Sequence, residues 1–341
     1  MSFKRLDPDD FVVSAQSITA TCWTGNVTAL TTFFTQSNQV SSISGKYYTT
    51  VFNTSSAGDN REAQFQIAYG NENGGGALAY NNTAAPGVSP ASTIYGQYRT
   101  LILEDENANF VWGNYSGSQT FYALSVERAR YKESLLPGSI NLTLSGSGTN
   151  NNLELTDNSK MVNLPTYYGT QRVYQMISGS NGLSYNTGSD GYTTSNGSYG
   201  WFCPDISTVL LNSSALDLTT AQGISLNTTT TSNTNGNNNQ KMFNVIVSGK
   251  QFALNSEETI TSDFVFVRAR NSEFNYSENP SYISGSTGEV IYNYFINNPQ
   301  TYMTTIGLYN DSNDLLAVAK LSKPLNKDFT KEALVRVKLD F

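Results

Sequence analysis

The sequence predicts a mainly β protein, all-β or α+β with few short helices, in which antiparallel sheets form a sandwich-like core with long polar loops. Its 341 residues include 21 Tyr, 17 Phe and 3 Trp, and aromatic side chains fit the pleated surface of strands. Most polar residues are Asn, Ser, Thr and Gly, which favour turns. At the C-terminus, apolar residues alternate with mainly charged ones, the period of a strand with one buried face.

Strand patterns recur along the chain between segments of turn-forming residues. We predict strands over residues 46–52, 63–69, 95–103, 119–126, 139–144, 173–177, 242–247 and 261–269. Residues 302–309 and 315–321 flank the turn-forming segment 310–314 and predict a β-hairpin. The alternating segment 333–341 predicts a final strand with Val337 and Phe341 on its apolar face. Residues 213–218 predict one short helical turn.

Two polar tracts suggest the domain organisation. Residues 178–200 are rich in Gly, Ser, Asn and Tyr, and residues 227–240 are of low complexity, which predicts a long loop or a partly disordered arm. We therefore expect an N-terminal β domain at 1–147 and a loop-rich central region at 148–240. A C-terminal β region at 241–341, with the hairpin and the final strand, could pack with the N-terminal part.

Composition and charge exclude several classes of partner. Charged residues make up 14% of the chain and its net charge is −7, without the basic stripe that nucleic-acid binding requires. The chain has neither an apolar signal segment nor a run of about 18 apolar residues, so we expect no signal peptide and no membrane span. Whether Cys22 and Cys203 pair stays open, and two buried free thiols are the expectation.

The absence of histidine argues against catalysis, because Ser-His-Asp and Cys-His systems and histidine metal sites all require it. Carboxylate pairs could still hydrolyse a glycoside. The acidic residues considered for this are Glu104, Asp105, Glu106, Glu257 and Glu258. They lie in polar surroundings that favour solvated side chains. The Asp- and Asn-rich segment 311–314 lacks the glycine and distal glutamate of a calcium loop and is better explained as a turn. We expect neither a cofactor nor a metal, and no enzyme.

Two sets of residues are candidates for an interface. The pattern Arg-Ala-Arg-x-x-Glu occurs twice, with Arg128 and Arg130 in the first copy and Arg268 and Arg270 in the second, each at the end of a predicted strand. These arginines either bind carboxylates of neighbouring subunits or are solvated charges at strand ends, and the second interpretation is favoured. The second set is a group of loop tyrosines: Tyr185, Tyr192 and Tyr199. They either form a sugar or protein contact or fold back onto their own domain.

Several segments resemble known proteins. They are FKRLDPDDFVVSA (3–15), IYGQYRTLIL (94–103), YKESLLPGS (131–139), NPQTYMTTIGLY (298–309), LLAVAKLSKP (315–324) and VRVKLDF (335–341). The chain resembles, in these segments, virion structural proteins of T-even-like myophages, notably of cyanophages, and within that group a baseplate wedge component.

The resemblance implies a non-catalytic structural subunit of a contractile-tailed phage, in the tail baseplate and acting through protein–protein interfaces. It implies several copies or a homo-oligomer, other tail and baseplate proteins as partners, no cofactor, and assembly in the host cytoplasm. The alternatives are a neck or other tail accessory protein, a receptor- or carbohydrate-binding module that uses the tyrosine-bearing loops, and a polysaccharide-degrading tail enzyme.

Overall fold

A computed structural model describes residues 4–36, 47–76, 89–146, 152–231, 238–277 and 279–340. The chain forms two compact units, unit 1 from Met1–Ser17 with Thr259–Phe341, and unit 2 from Ile18–Glu258. The boundaries expected at residues 147 and 240 both fall within unit 2.

The strands, in chain order, are β1 (Phe11–Thr21), β2 (Ala29–Leu30), β3 (Phe34–Thr35), β4 (Tyr48–Phe52), β5 (Ala63–Asn71), β6 (Thr120–Val126), β7 (Ser134–Leu135), β8 (Asn141–Ser145), β9 (Asn152–Asp157), β10 (Thr166–Tyr168), β11 (Gln171–Ser180), β12 (Leu183–Ser184), β13 (Gly200–Cys203), β14 (Thr208–Asn212), β15 (Gln251–Ala253), β16 (Asn255–Ala269), β17 (Thr301–Tyr309), β18 (Leu315–Lys327) and β19 (Ala333–Asp340). The helices are α1 (Pro90–Leu103), α2 (Ser213–Leu216), α3 (Asn238–Gly249) and α4 (Asn293–Asn297). The protein is therefore mainly β, as the sequence predicts.

Unit 2 contains a 13-stranded sheet in the order β2-β15-β8-β9-β11-β13-β14-β6-β5-β4-β3, with β10 and β12 paired to β11. Neighbouring strands of this sheet pair antiparallel. The ring of Phe252 in β15 lies 5.3 Å from the ring of Phe65 in β5, although these strands are far apart in the sheet order. The sheet therefore curls until its two ends face each other, which gives the expected sandwich-like core.

Strand β6 shows how the sheet of unit 2 is buried on both faces. Tyr122 and Leu124 point into the core between the sheet ends. Phe121 and Ala123, the alternate positions, join a second buried cluster that includes residues of α1. Because successive side chains of a strand point to opposite faces, burial of both faces requires apolar residues at every position from 121 to 124.

Two segments predicted as strands are helices, which corrects the predictions for 95–103 and 242–247. Helix α1 begins after Ser89, whose hydroxyl accepts from the Ser92 amide, and Pro90 stands at its first position. Its buried residues Ala91, Ile94, Tyr95 and Ile102 follow helical spacing. Helix α3 buries Met242, Val245 and Ile246 at the same spacing. The aromatic and β-branched content of both segments favours strands. However, the buried residues recur every three to four positions, which is the spacing of one helix face.

Part of the low-complexity tract also differs from the prediction. Residues 238–240 form the first turn of α3, and Asn238 is buried. Its side-chain amide donates to the carbonyl oxygens of Thr229 (2.9 Å) and Gly76 (3.1 Å). This end of the tract is a structural contact within unit 2, while residues 232–237 lie outside the described residues.

The other predicted elements are confirmed. Strands β4, β5, β6, β8, β11 and β16, the hairpin β17–β18, the final strand β19 and the short helix α2 lie where the sequence predicts them. In unit 1, β19 pairs antiparallel with β16 from Ala333↔Ala269 to Asp340↔Ser262. Val337 is buried on this strand, as expected. Phe341 lies outside the described residues.

Candidate protein interface

The hairpin β17–β18, called the arm below (residues 301–327), is the most exposed apolar feature of unit 1. Its strands pair only with each other in the described part of the chain, and neither packs closely on another helix or strand there. Tyr302, Leu316 and Val318 are 63%, 68% and 58% exposed. A two-stranded hairpin is at best marginally stable in water without a covering surface. Among the described residues, the arm therefore has no close covering surface.

The tip of the arm is a turn. The Asn310 side-chain oxygen accepts from the Asp314 amide (2.7 Å), and the Asn310 side-chain amide donates to the Asp314 carboxylate (3.0 Å). Asn313 adopts a positive φ of 64°, which Asn tolerates better than most residues. The Asp and Asn residues of segment 310–314 thus satisfy backbone geometry, as the turn interpretation predicts.

The root of the arm is polar and buried. Lys327 is fully buried, and its ammonium donates to the carbonyl oxygens of Asn271 (3.0 Å) and Asp328 (3.0 Å) and to Oδ1 of Asn275 (2.9 Å). Thr301 stands opposite Lys327 in the hairpin. A buried charge is tolerated only when its donors are satisfied. The root therefore ties the arm to the segment 271–275, while apolar side chains of β17 and β18 stay exposed.

A second exposed surface, called the aromatic patch, lies in the segment 276–296 of unit 1. Its exposed members are Tyr276, Ile291, Tyr292, Tyr294 and Ile296, between 42% and 61% exposed. The ring of Tyr282 lies 5.6 Å from Tyr292 and 5.6 Å from Phe295, which is buried in α4. Clustered tyrosines with aliphatic neighbours are typical of protein interfaces.

Strand β1 is the third exposed feature. It is an edge strand, paired with β16 on one side only among the described strands. Phe11, Val12 and Val13 are 46%, 46% and 58% exposed, and β1 contains no charged residue and no proline. The opposite edge, β19, carries Arg336 and Lys338. Charges on edge strands block unwanted pairing, so β1 is the unprotected edge of this sheet.

The three predicted tyrosines have different environments. Tyr185 is 58% exposed, and its hydroxyl donates to the Glu154 carboxylate. Desolvation and this carboxylate raise the pKa of Tyr185 to about 12. Tyr192 is half-buried. Tyr199 folds back onto its own unit, the second of the two alternatives, because it is buried in the core of unit 2 and its hydroxyl donates to the Gln222 carbonyl (2.6 Å).

The arginine pairs also differ from each other. Arg130 forms an ion pair with Glu62 (2.8 Å), and the Thr24 hydroxyl together with this guanidinium lowers the pKa of Glu62. Arg128 is exposed and lies over the ring of Tyr131, 4.7 Å from its centre. The first pair therefore makes contacts within its own unit.

Arg268 and Arg270 lie at the end of β16, and both are exposed. Their backbone groups hold a short turn, in which Glu273 accepts from the Arg270 amide (2.9 Å) and from Lys4 (3.0 Å). The side chains of this second pair face solvent in unit 1. A role for the four arginines at an interface stays a prediction.

Unit 2 carries an open groove of about 950 Å³ beside α1. Its lining includes Ile94, Leu101, Tyr98 and Thr208, and no residue of the lining is charged. The Tyr98 hydroxyl lies 2.6 Å from Ser125 Oγ, so the polar group at its base is already paired. The groove offers no acid, base or nucleophile pair.

The remaining candidates for chemistry are the two cysteines and a short acidic segment. Cys22 and Cys203 are both buried, as expected, and burial raises the pKa of Cys22 to about 12 and that of Cys203 further above its usual value. Glu104 to Glu106 are exposed beyond the end of α1. Within the described residues, His, Cys, Asp and Glu form no group of three that could hold a metal ion. None of the helices described is both long and apolar enough to cross a membrane.

The aromatic patch is not among the features predicted from the sequence. The segment 276–302 has six aromatic residues in a largely polar stretch, a density that could have indicated it. In comparisons with known proteins, no family model, no curated protein and no solved structure matches the chain significantly.

Proposed function

We propose that this chain is a non-catalytic structural subunit of a contractile-tailed phage virion, located in the tail baseplate and acting through protein–protein interfaces. The observation that carries the proposal is the arm, an exposed apolar hairpin held outward by a buried polar root. Such a hairpin is stabilised when a neighbouring subunit covers it.

The energetics of unit 1 support an assembled state. Both buried apolar clusters of the described residues lie within Ile18–Glu258, and unit 1 contributes to neither. Burying one Leu or Val side chain contributes roughly 1.5–3 kcal/mol. Covering Leu315, Leu316 and Val318, which are each more than half exposed, would therefore stabilise unit 1 by several kcal/mol.

The phage setting rests on the sequence resemblance. Two of the resembling segments, 298–309 and 315–324, form most of the arm. The same surface thus carries the resemblance and the physical argument. The subunit would be assembled in the host cytoplasm beside other tail and baseplate proteins, and a neck or tail accessory position fits the same surfaces.

Truncation tests this proposal. Removal of residues 329–341 deletes β19, so β16 loses a strand partner over eight residue pairs, from Ala269 to Ser262. We expect the truncated chain to be absent from purified particles of a phage that encodes it. The double variant Leu316→Ser, Val318→Ser should also be absent, because it removes two exposed apolar side chains of β18 and leaves the backbone pairing intact.

The matched control is Lys323→Ser, on the same strand and already polar. It should be incorporated like the wild type when particles are analysed by mass spectrometry. Normal incorporation of both the truncated chain and the Leu316→Ser, Val318→Ser variant would refute the proposal. The absence of the wild-type chain from particles would also refute it.

One observation favours a second function, a carbohydrate-binding module. Tyr185 presents an exposed ring beside the Glu154 carboxylate, and an aromatic face beside a hydrogen-bonding group suits a sugar ring. A glycan array would test this. Binding that is lost in Tyr185→Ala and kept in Tyr276→Ala would support it, and an array without signal would exclude it.

A further inference from the structure

We propose that the arm pairs with a second copy of this chain, antiparallel through β17 across a two-fold axis. This inference rests on the proposed function and identifies the contact between copies. It is carried by the difference between the two strands of the arm.

Strand β18 is protected against pairing. It carries Lys320, Lys323 and Pro324, and lysine and proline are the residues that block edge strands. The hairpin pairing is irregular in two places, between Met303 and Thr305 and between Leu308 and Tyr309. In both places the extra residues lie in β18, and bulges also disfavour edge pairing.

Strand β17 has none of these protections. Its nine residues contain no charge and no proline, and the irregularities leave it continuous. In the part of the chain that the structure describes, it has no strand partner on the side away from β18. A continuous, neutral edge adds a further strand through its backbone groups.

The sequence of β17 fits its own copy. The antiparallel register that aligns all nine residues places Thr305 opposite Thr305 of the second copy. Tyr302 then stands opposite the second copy's Leu308, an aromatic–aliphatic pair. Met303 stands opposite the second copy's Gly307, where the ring of Tyr309 fills the space that a Cβ would take, so the thioether meets an aromatic ring. No like charges meet, because neither strand carries a charge.

The pairing also closes the assembly. The two hairpins form a four-stranded sheet in the order β18-β17-β17-β18, whose outer edges are both the protected β18. Three or more strands with an apolar face can be stable where two are not. On one face, Ile306 lies opposite Ala319 and Leu308 lies opposite Ala317 in each hairpin. In the two-fold register, Leu308 stands opposite the second copy's Tyr302 and Ile306 opposite the second copy's Thr304, so this face continues across the axis. The result is a closed dimer and not a fibre, as expected for an isologous contact.

A charge-swap experiment on the full chain tests the inference. Thr305→Lys places like charges directly opposite each other across the two-fold axis, and in its own hairpin it also lies opposite Lys320. The mixed dimer described below separates the two effects, because mixing changes only the charge across the axis. Sedimentation velocity should show a wild-type dimer and at least a ~10-fold weaker dimer for the variant. Thr305→Glu should also weaken the dimer, though less, because Lys320 is its neighbour in the hairpin. An equimolar mixture of the two variants, carrying different tags, should restore a mixed dimer.

Ser322→Lys is the matched control, since it adds the same charge to β18, and it should leave the dimer unchanged. As a second variant, Thr305→Cys should link the two copies on oxidation with diamide, whereas Ser322→Cys should not. The native Cys22 and Cys203 are buried.

A monomeric wild type, a Thr305→Lys dimer of normal strength or a mixture that does not recover would each overturn the inference. Incorporation into particles is measured in parallel. A wild type that is monomeric in solution yet present in particles overturns only the two-fold contact. A wild type that is absent from particles overturns the proposed function itself.

Discussion

Replacing Lys327 by Met tests whether the polar root holds the arm. The substitution keeps an unbranched side chain, one atom shorter, but removes the ammonium and its three hydrogen bonds. Two of the acceptors keep a donor. The Asn271 carbonyl still accepts from the side-chain amide of Asn275 (2.6 Å), and the Asp328 carbonyl still accepts from the backbone amide of Lys331 (3.2 Å). Only Oδ1 of the buried Asn275 loses its donor.

The expected loss of stability follows from this count. One buried acceptor without a partner costs about 1–3 kcal/mol, and lost hydrogen bonds to a charged donor add to it. The variant no longer has to bury an ammonium, which offsets part of the loss. We expect a net loss of about 2 kcal/mol, which corresponds to roughly 30-fold weaker protection from amide exchange.

Hydrogen exchange can locate this loss. Peptides from residues 268–277 and 300–327 should lose protection from exchange. The midpoint of urea unfolding followed by tryptophan emission should not move, because all three tryptophans are buried in unit 2. The control is Lys323→Met, which removes an exposed ammonium from the same strand. Unchanged protection in Lys327→Met would refute the role of the root, and so would an equal loss in Lys323→Met.

Three further predictions concern the fold. A Cβ added to Gly200 would lie 1.8 Å from the Leu210 carbonyl oxygen, so Gly200→Ala should cost about 3 kcal/mol in urea denaturation followed by tryptophan emission. Gly96→Ala in α1 meets no atom within 4 Å and should instead gain about 0.5–1 kcal/mol; a loss there would contradict the helix. Hydrogen bonds from Thr330 and from the following lysine lower the pKa of Asp328 to about 2. Because a depressed pKa stabilises the folded state only above the unfolded pKa, the destabilisation by Asp328→Asn should be full at pH 6 and should vanish as pH falls from about 4 to 2; a pH-independent difference would contradict this.

The strands of this protein are predictable from sequence because most are short apolar or alternating runs bounded by turn residues. The hairpin is a clear case, since the segment 310–314 marks its turn and both flanks are rich in strand-forming residues. The two helices were misjudged for an equally physical reason. In α1, Tyr95, Tyr98 and Ile102 have high strand propensity, but tertiary packing against β5 and β6 overrides propensity. The cap at Ser89 and Pro90 was the local signal that could have corrected the prediction.

Exposure was harder to predict than secondary structure. Tyr199 lies in a polar tract, yet it immediately precedes β13 and is drawn into the core. Composition reports the average environment of a segment, whereas burial depends on which strand is adjacent. The same limit applies to Arg130, whose partner Glu62 is 68 residues away in sequence.

The edges of the sheets show why the candidate interface could not be located from the sequence without the strand order. Strand β17 and strand β6 are both free of charge and proline, so the sequence gives no reason to treat them differently. In the structure β6 lies between β5 and β14, where absence of charge is a requirement of burial. Strand β17 lies at an edge, where absence of charge is a liability unless another chain pairs with it. The same composition therefore means a buried core in one place and a docking edge in the other. Strand order is what separates the two, and it puts the proposed docking edge on unit 1.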